Sequence, residues 1–375
     1  MQAFSGQRIF GLDVLRATAI VLVLFSSIYF IVPDIQGLIL QLMSLAGVIG
    51  IEIFFVFSGF LIGRVFYKLY LQDDFSFATI KQFFIKRWIR VLPNYFLALV
   101  INIIIVLFMG SDLPHDLWKY FVFLQNFTSE PSSFFFYESW SISIGEFSAV
   151  VGPLLLYFLL VIKGGKNPNP KLLLFLTLCI IGVFLITKWV YAINDDVKTM
   201  EAWSKNLKTA VIYRIDAVYY GVLAAYISMA KPNLWKKCKF ITLFLGLVLC
   251  FVLYVVVPGN YWFINTHPIF WNLWYLPLNS VIILLILPFF SQWKLDVPFF
   301  VKPIQFLSTI AYAVYVIHLS TVLRLMSHFL PSENLPKFDS IVYIMVYISV
   351  LILFGYLIHH YFERPIKRRL TNKKK

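Results

Sequence analysis

Charged residues are scarce in this chain of 375 residues: only 13% are Asp, Glu, Lys or Arg, whereas 60% are hydrophobic. Soluble domains carry about twice that share of charge. A soluble fold of this length could not bury so much apolar surface. The composition therefore excludes a soluble globular protein and predicts a polytopic membrane protein.

Cysteine is also rare, and the motifs of soluble enzymes are missing. The three cysteines, Cys179, Cys238 and Cys250, have no metal-ligand spacing, so neither a disulfide framework nor a metal site is predicted. There is no glycine-rich phosphate loop, no G-x-S-x-G and no H-E-x-x-H. The net charge of +14 does not indicate nucleic-acid binding, because the lysines and arginines lie in short segments between apolar runs.

Ten apolar runs approach the roughly 20 residues that a helix needs to cross a hydrocarbon core of about 30 Å. They predict an all-α helical bundle, a single membrane domain over residues 1–375 that ends in a basic tail, residues 363–375. The Glu363–Pro365 step is expected to end the last helix. The predicted spans are residues 12–32, 40–67, 92–109, 139–162, 171–193, 207–229, 239–257, 272–291, 304–329 and 339–361.

The basic residues are distributed asymmetrically between the two sides of these spans. If the N-terminus is cytosolic, most lysines and arginines fall in cytosolic segments, as the positive-inside rule requires. Ten is an even number, so both termini are predicted to be cytosolic. No small-residue cleavage site follows the first apolar run, which is therefore expected to be retained as a span.

Six ionisable or polar residues from five spans lie at membrane depth, where an unpaired charge is costly. They are Ser27, Glu52, Glu146, Arg214, Asp216 and His318. Together they indicate a polar cavity inside the bundle, although each also has a structural explanation. Glu52 could pair with an arginine, and His318 could be a hydrogen-bonded core histidine. Ser27 could bond to the carbonyl one turn back. Arg214 and Asp216 are two residues apart, so they face different sides of their helix.

A basic cluster precedes the third span, in the stretch FFIKRWIRVLPNYF (83–96). Lys86, Arg87 and Arg90 fall within about one helical turn. Arginine matches the geometry of phosphate groups, so the cluster indicates a cytosolic site for a ligand with several phosphates. Ordinary positive-inside charge that snorkels to the interface is the alternative.

Seven stretches, in this order along the chain, resemble the acyltransferase 3 family of integral-membrane bacterial acyltransferases. The second-helix block is the most specific of them. The stretches are GLDVLRATAIVLVLFSS (11–27), GVIGIEIFFVFSGFLIG (47–63), FFIKRWIRVLPNYF (83–96), SWSISIGEFSAVVGPLL (139–155), YRIDAVYYGVLAA (213–225), STIAYAVYVIHLS (308–320) and YFERPIKRRL (361–370).

The resemblance implies acyl transfer across the cytoplasmic (inner) membrane of a cell. Cytosolic acyl-CoA, typically acetyl-CoA, would donate the acyl group to a hydroxyl of an envelope polysaccharide or lipid-linked sugar. Membrane lipids and other envelope-biosynthesis proteins are the expected partners. By matching motif positions, Arg16, Arg87 and Arg90 would bind the donor, with Lys86 in the same segment. The reaction needs a base for the hydroxyl proton and donors for the oxyanion.

Two positions depart from the family pattern. The first-helix motif has a basic residue, ten intervening positions and a histidine; counted from Arg16, that position is Ser27. The fourth helix usually carries an acidic pair, but here it has Gly145 followed by Glu146. A serine hydroxyl without an assisting base cannot accept a proton near neutral pH, so the motif does not identify the catalytic base.

Three functions therefore remain. The first is an acyltransferase with a displaced base, in which His318 accepts the proton and Glu146 assists. Ser27 could also carry the acyl group as a covalent intermediate. The second is a catalytically inactive relative that binds a glycan or lipid-linked sugar, or scaffolds an envelope-assembly complex. The third is a transporter of a lipid or small anion, which the missing internal repeat disfavours.

Overall fold

The computed structural model describes residues 8–32, 36–72, 75–130, 135–162, 169–194, 197–332 and 335–372. Every regular element in these ranges is helical, which confirms the all-α prediction. Nine of the helices are long and apolar enough to span a membrane, and one apolar helix is shorter. In chain order they are α1 (Phe10–Phe30), α2 (Ile39–Tyr70), α3 (Phe77–Phe108), α4 (Ser139–Ile162), α5 (Pro170–Asn194), α6 (Ile215–Ala230, the shorter one), α7 (Lys239–Gly259), α8 (Phe270–Phe290), α9 (Pro298–Phe329) and α10 (Phe338–Leu370).

Successive helices run in alternate directions, so the connecting segments gather at two ends of the bundle. At the N-terminal end, where α1 begins, the Gly11 amide donates to the carbonyl of Trp293, which follows α8 (3.0 Å). At the opposite end, which we call the distal end, the Val211 amide donates to the Asn126 carbonyl (3.0 Å). The start of α1 and the end of α8 therefore lie at the same end of the bundle.

The closest helix contact in the centre of the bundle is between α2 and α6. A Cβ atom on Gly59 would lie 1.9 Å from the Val218 carbonyl oxygen, and one on Gly221 would lie 2.0 Å from that of Val56. Both positions therefore require glycine. Small residues of this kind allow close approach of helix backbones inside a membrane, where packing replaces the hydrophobic effect.

Helix α6 differs from the sixth predicted span, residues 207–229, because it begins only at Ile215. The preceding residues form a π-helical turn and then a 3₁₀ turn. The amides of Val211 and Ile212 bond to carbonyls of the α3–α4 connection. These cross-chain bonds replace the bonds of a continuous helix. The helix of 16 residues is about 24 Å long, against about 30 Å for a hydrocarbon core.

Two of the long helices contain irregular turns. In α9, Ile317 has φ −119° and ψ −5°, and a π-helical turn follows over His318–Leu323. In α10, a π-helical turn covers Ile358–Glu363, after which the helix continues to Leu370. The prediction that the Glu363–Pro365 step ends the last helix is therefore wrong. Pro365 lies in the first turn after the irregularity, where a missing amide is tolerated.

Candidate functional site

The first group of predicted site residues forms a buried ion pair in the centre of the bundle. The Arg214 guanidinium bonds to the Glu52 carboxylate, and both side chains are at most 2% exposed. The Ser280 hydroxyl donates to the other carboxylate oxygen (2.9 Å). The guanidinium also lies 5.6 Å from the ring centroid of Phe55. These contacts join α2 and α8 to the residue that precedes α6.

Asp216 faces another helix, as its spacing from Arg214 predicts. Its carboxylate bonds to the ammonium of Lys188 on α5, and both side chains are buried. Arg214 and Glu52 interact electrostatically with Lys188, so the two pairs form one network of four charges whose sum is zero. Sequence analysis missed Lys188, although a lysine inside an apolar run was the signal. This network ties helices together and lies apart from the histidine.

Glu146 joins α4 to the basic segment of α3. Its Oε1 accepts from Arg87 Nη2 at 2.7 Å, and its Oε2 accepts from the indole of Trp88 at 3.1 Å. The same Arg87 nitrogen donates to the carbonyl of Gly145 at 3.0 Å. A Cβ atom on Gly145 would lie 3.8 Å from Arg87 Nη2, so a second acid there would face the same guanidinium. The structure therefore pairs Arg87 with the single remaining acid.

Arg16 lies on α1 in the half of the bundle nearer the N-terminal end. Its guanidinium lies 4.9 Å from the ring centroid of Phe57 and 3.4 Å from the hydroxyl of Ser308 on α9. Asp13 and Glu363 interact electrostatically with it. Arg16 of α1 thus contacts α2 and α9, and a carboxylate of α10 lies nearby.

The tyrosine Tyr312 connects this region with the Arg87–Glu146 pair. Its hydroxyl donates to the Val91 carbonyl on α3 (3.0 Å). Arg87, Glu146 and Glu363 all interact with it electrostatically. On the same segment of α3, Lys86 is half-buried and Arg90 is exposed. The four predicted donor-binding residues, Arg16, Lys86, Arg87 and Arg90, therefore lie around α1, α3 and α9 in one half of the bundle.

The distal half contains a further buried carboxylate, Glu138, which immediately precedes α4. Its Oε1 accepts from the backbone amides of Leu319 (2.6 Å) and Ser320 (2.9 Å), and its Oε2 accepts from the Ser320 hydroxyl. These amides point outward because α9 breaks at Ile317 and then resumes, and the start of a helix favours a negative charge. Sequence analysis missed Glu138; an acid directly before the SWS stretch was the signal.

His318 is the first residue after the break in α9. Its Nδ1 lies 2.6 Å from the Tyr315 carbonyl oxygen and 3.5 Å from Glu138 Oε1. A carbonyl oxygen can only accept, so this bond assigns a proton to Nδ1 and the lone pair of the neutral ring to Nε2. The hydroxyl of Tyr347 on α10 donates to the His318 carbonyl (3.0 Å). The imidazole is thus held in the tautomer that a general base needs.

Ser27, which stands at the motif-histidine position, lies close to the same tyrosine. The Ser27 hydroxyl donates to the Val23 carbonyl one turn back (2.8 Å), as serines inside helices often do. The Ser27 side chain also interacts with Tyr347, which bonds to the His318 carbonyl. The structure therefore brings Ser27 and His318 together through Tyr347, while the Glu52–Arg214 network stands apart.

A cavity of about 240 Å³ lies beside the residues that follow His318 in the distal half, and its lining includes neither His318 nor Glu138. It sets a few hydroxyl and guanidinium groups among aromatic and aliphatic ones, as many ligand pockets do. The lining residues are Phe30, Tyr137, Leu319, Ser320, Leu323, Arg324 and Ser327.

Beyond the spans, the distal segment before α6 carries a lysine with an unusual environment. The ammonium of Lys208 lies 5.8 Å from the ring centroid of Trp140. Burial lowers the pKa of Lys208 to about 8, and the nearby charge of Glu130 opposes this shift. Burial also raises the pKa of Glu130. These groups form a partly buried charged rim at the distal end.

With this geometry established, comparison with known proteins identifies the chain. The acyltransferase domain of the acyltransferase 3 family matches residues 9–360. The chain belongs to this family. The acyltransferase 3 match covers α1–α9 and α10 as far as His360, so the site residues described above lie inside it, except Glu363.

Two relatives of this acyltransferase 3 chain carry the name of an O-acetyltransferase. One, from Staphylococcus aureus strain COL, is 23% identical over 343 residues, which cover 86% of this chain and 53% of the relative. The other is the peptidoglycan O-acetyltransferase OatA of Listeria monocytogenes, 24% identical over 302 residues, or 72% and 44% of the two chains. The chain thus spans about half the length of these relatives. No solved structure matches it.

Proposed function

We propose that the chain is a membrane-embedded O-acyltransferase. It moves an acyl group, with acetyl as the leading candidate, from acyl-CoA at the N-terminal end to a hydroxyl of an envelope glycan or lipid-linked sugar at the distal end. Both termini then lie in the cytosol, beneath the cytoplasmic membrane. The observation that carries the proposal is the His318 imidazole, whose lone pair is on Nε2 and whose following residues line the distal cavity.

The donor-binding half of the proposal rests on Arg16, Lys86, Arg87 and Arg90. Guanidinium groups suit the phosphates of coenzyme A because their paired N–H groups match phosphate oxygens. Arg87 uses Nη2 for Glu146 and Gly145, and its buried Nε has no hydrogen-bond partner among the described residues. The arginine therefore retains donor capacity for an anionic ligand. Glu146 fixes its position.

In the transfer step, Nε2 of His318 accepts the proton of the acceptor hydroxyl. The hydroxyl oxygen then forms a bond to the thioester carbonyl carbon, the C–S bond breaks, and coenzyme A leaves as the thiolate. Ser27 lies beside Tyr347 and takes no part in the proton transfer in this scheme. A covalent acyl-serine route is less favoured, because the Ser27 proton already points to the Val23 carbonyl and His318 reaches it only through Tyr347.

The relatives support the choice of acceptor. Both names specify O-acetyl transfer, and one specifies peptidoglycan. The first acceptors to test are therefore peptidoglycan fragments and lipid-linked sugars.

The test uses the full chain in lipid vesicles with radiolabelled acetyl-CoA and peptidoglycan fragments. We expect label in the fragments and a loss of about a hundredfold or more in His318→Ala, since a general base contributes about 100- to 10,000-fold. The matched control is His328→Ala, an exposed histidine of the same helix, which should retain full turnover. Undiminished transfer by His318→Ala would exclude His318 as the base.

A second candidate function is an inactive relative that binds a glycan or lipid-linked sugar. It is favoured by one observation, the serine at position 27 with its hydroxyl bonded to its own helix. Binding of acetyl-CoA by the wild type without transfer or hydrolysis would support it. The Ser27→His variant separates the two, because turnover that appears only in this variant would show an otherwise complete site.

A further inference from the structure

We infer that Glu138 is a positioning residue that enables His318 to act as the base, an inference that rests on the function proposed above. Glu138 lies outside the predicted spans and belongs to no residue set that composition or motif spacing indicates. It reaches His318 from the start of α4, across the break in α9.

The negative charge of Glu138 suits it to assist His318. When Nε2 accepts a proton, the imidazole becomes an imidazolium, and a carboxylate beside Nδ1–H stabilises that ion. Glu138 Oε1 lies 3.5 Å from Nδ1, and the carboxylate is 0% exposed. The other groups around His318 are neutral hydroxyls, Tyr315 on its own helix and Tyr347 on α10. Glu138 is thus the negative charge adjacent to His318 among the described residues.

The contacts of Glu138 also hold the backbone around His318. Glu138 binds the amides of Leu319 and Ser320, the two residues that follow His318, while Tyr347 binds the carbonyl of His318 itself. The backbone of His318 is therefore held from two sides, by α4 and by α10. A carboxylate that stabilises this π-helical turn therefore also determines the direction of the imidazole. Such turns often occur at functional sites.

Glu138 and His318 also lie next to the distal cavity. Leu319, the residue after His318, lines the distal cavity. Ser320, which also binds Glu138, lines the same cavity. Position 27 offers only a serine hydroxyl, bonded to Val23. The carboxylate and the histidine therefore form a base unit between α4 and α9, where α1 supplies none.

The test compares Glu138→Gln with Thr321→Val in the acetyl-transfer assay. Glutamine keeps the shape of Glu138 and removes its charge. Thr321 lies in the same turn, its hydroxyl accepts from Asn102 and its side chain does not line the cavity, so its variant reports damage to the turn. We expect Glu138→Gln to lower kcat about tenfold or more with an unchanged KM for acetyl-CoA, and Thr321→Val to retain kcat.

The double variant decides between positioning and plain structure. In a His318→Ala background, Glu138→Gln should cause no further loss, because residues that act as a unit are not additive. An equal loss in both backgrounds, or a full kcat in Glu138→Gln, would overturn the inference.

A readout independent of turnover is the ¹⁵N-histidine NMR spectrum of the full chain in lipid nanodiscs. The His318 signals are assigned by comparison with His318→Ala. The Nδ1–H resonance should move upfield in Glu138→Gln and stay in place in Thr321→Val. An unmoved resonance would contradict the carboxylate contact. If the resonance moves in Glu138→Gln but the wild type transfers no acetyl group, only the proposed function is contradicted.

Discussion

Replacing Glu52 by glutamine should leave the Arg214 guanidinium as an uncompensated charge inside the bundle. Glutamine keeps the size of the side chain and one carbonyl acceptor for Arg214 or Ser280. It removes only the negative charge. Since both partners are at most 2% exposed, water cannot take over the role of the carboxylate.

The magnitude follows from the charge balance of the network. Glu52, Asp216, Lys188 and Arg214 sum to zero, whereas the variant carries a net charge of +1 in the same place. An arginine cannot escape by losing its proton. Breaking a buried ion pair costs about 3–5 kcal/mol, whereas one altered neutral hydrogen bond costs about 1 kcal/mol, so the charge effect dominates. The double variant Glu52→Gln/Arg214→Gln should regain about 1–3 kcal/mol relative to Glu52→Gln.

The assay is reversible unfolding in mixed micelles, which gives the free energy of unfolding for each variant. The control is Glu201→Gln, which removes an exposed ion pair with Lys205 and should leave stability unchanged. A loss below about 1 kcal/mol for Glu52→Gln, or a double variant that loses the sum of both single losses, would refute the reasoning.

Three further predictions concern packing, pH and donor binding. Gly59→Ala should lose about 1–3 kcal/mol in the same unfolding assay, because its Cβ would lie 1.9 Å from a carbonyl of α6, whereas Gly182→Ala, with nothing within 4 Å, should lose nothing. Since burial lowers the pKa of Lys208 to about 8, the unfolded chain binds more protons from that pH up to the ordinary lysine range. The free energy of unfolding should therefore rise with pH across this window, and melting curves of Lys208→Met should lose the rise. Arg87→Lys keeps the charge but loses the planar fork, so calorimetry should show acetyl-CoA binding weakened about tenfold, and unchanged affinity would exclude a bidentate role.

The apolar parts of the long helices follow directly from the sequence, because each needs only a run of apolar residues near membrane length. The start of α3 was predicted wrongly at residue 92, since the helix begins at Phe77 and contains the basic cluster. The start of α6 does not follow from the sequence either, since it depends on bonds between Val211 and the distant Asn126. The arginine partner considered for Glu52 proved to be Arg214. The pairing of Lys188 with Asp216 depends on how α5 packs against the start of α6.

The Glu138 site was harder to predict for a physical reason. Its ligands include backbone amides, which every residue has, and they become available only because α9 breaks at Ile317. No glycine or proline stands near that position to signal a break. His318 itself was predicted from its depth, but the carboxylate beside it required the three-dimensional packing of α4 against α9.

The shortness of α6 has a consequence for the surrounding lipid. The 16 residues of α6 rise about 24 Å, less than a hydrocarbon core of about 30 Å, so the few residues before it complete the crossing. Backbone outside a helix is tolerated at that depth because its groups bond within the protein, as those of Val211 and Ile212 do. Leu207, Thr209, Ala210 and Val211 in this segment are fully buried, so the neighbouring helices shield it from lipid. A change that loosened those helices would expose unpaired backbone groups to lipid, which is costly.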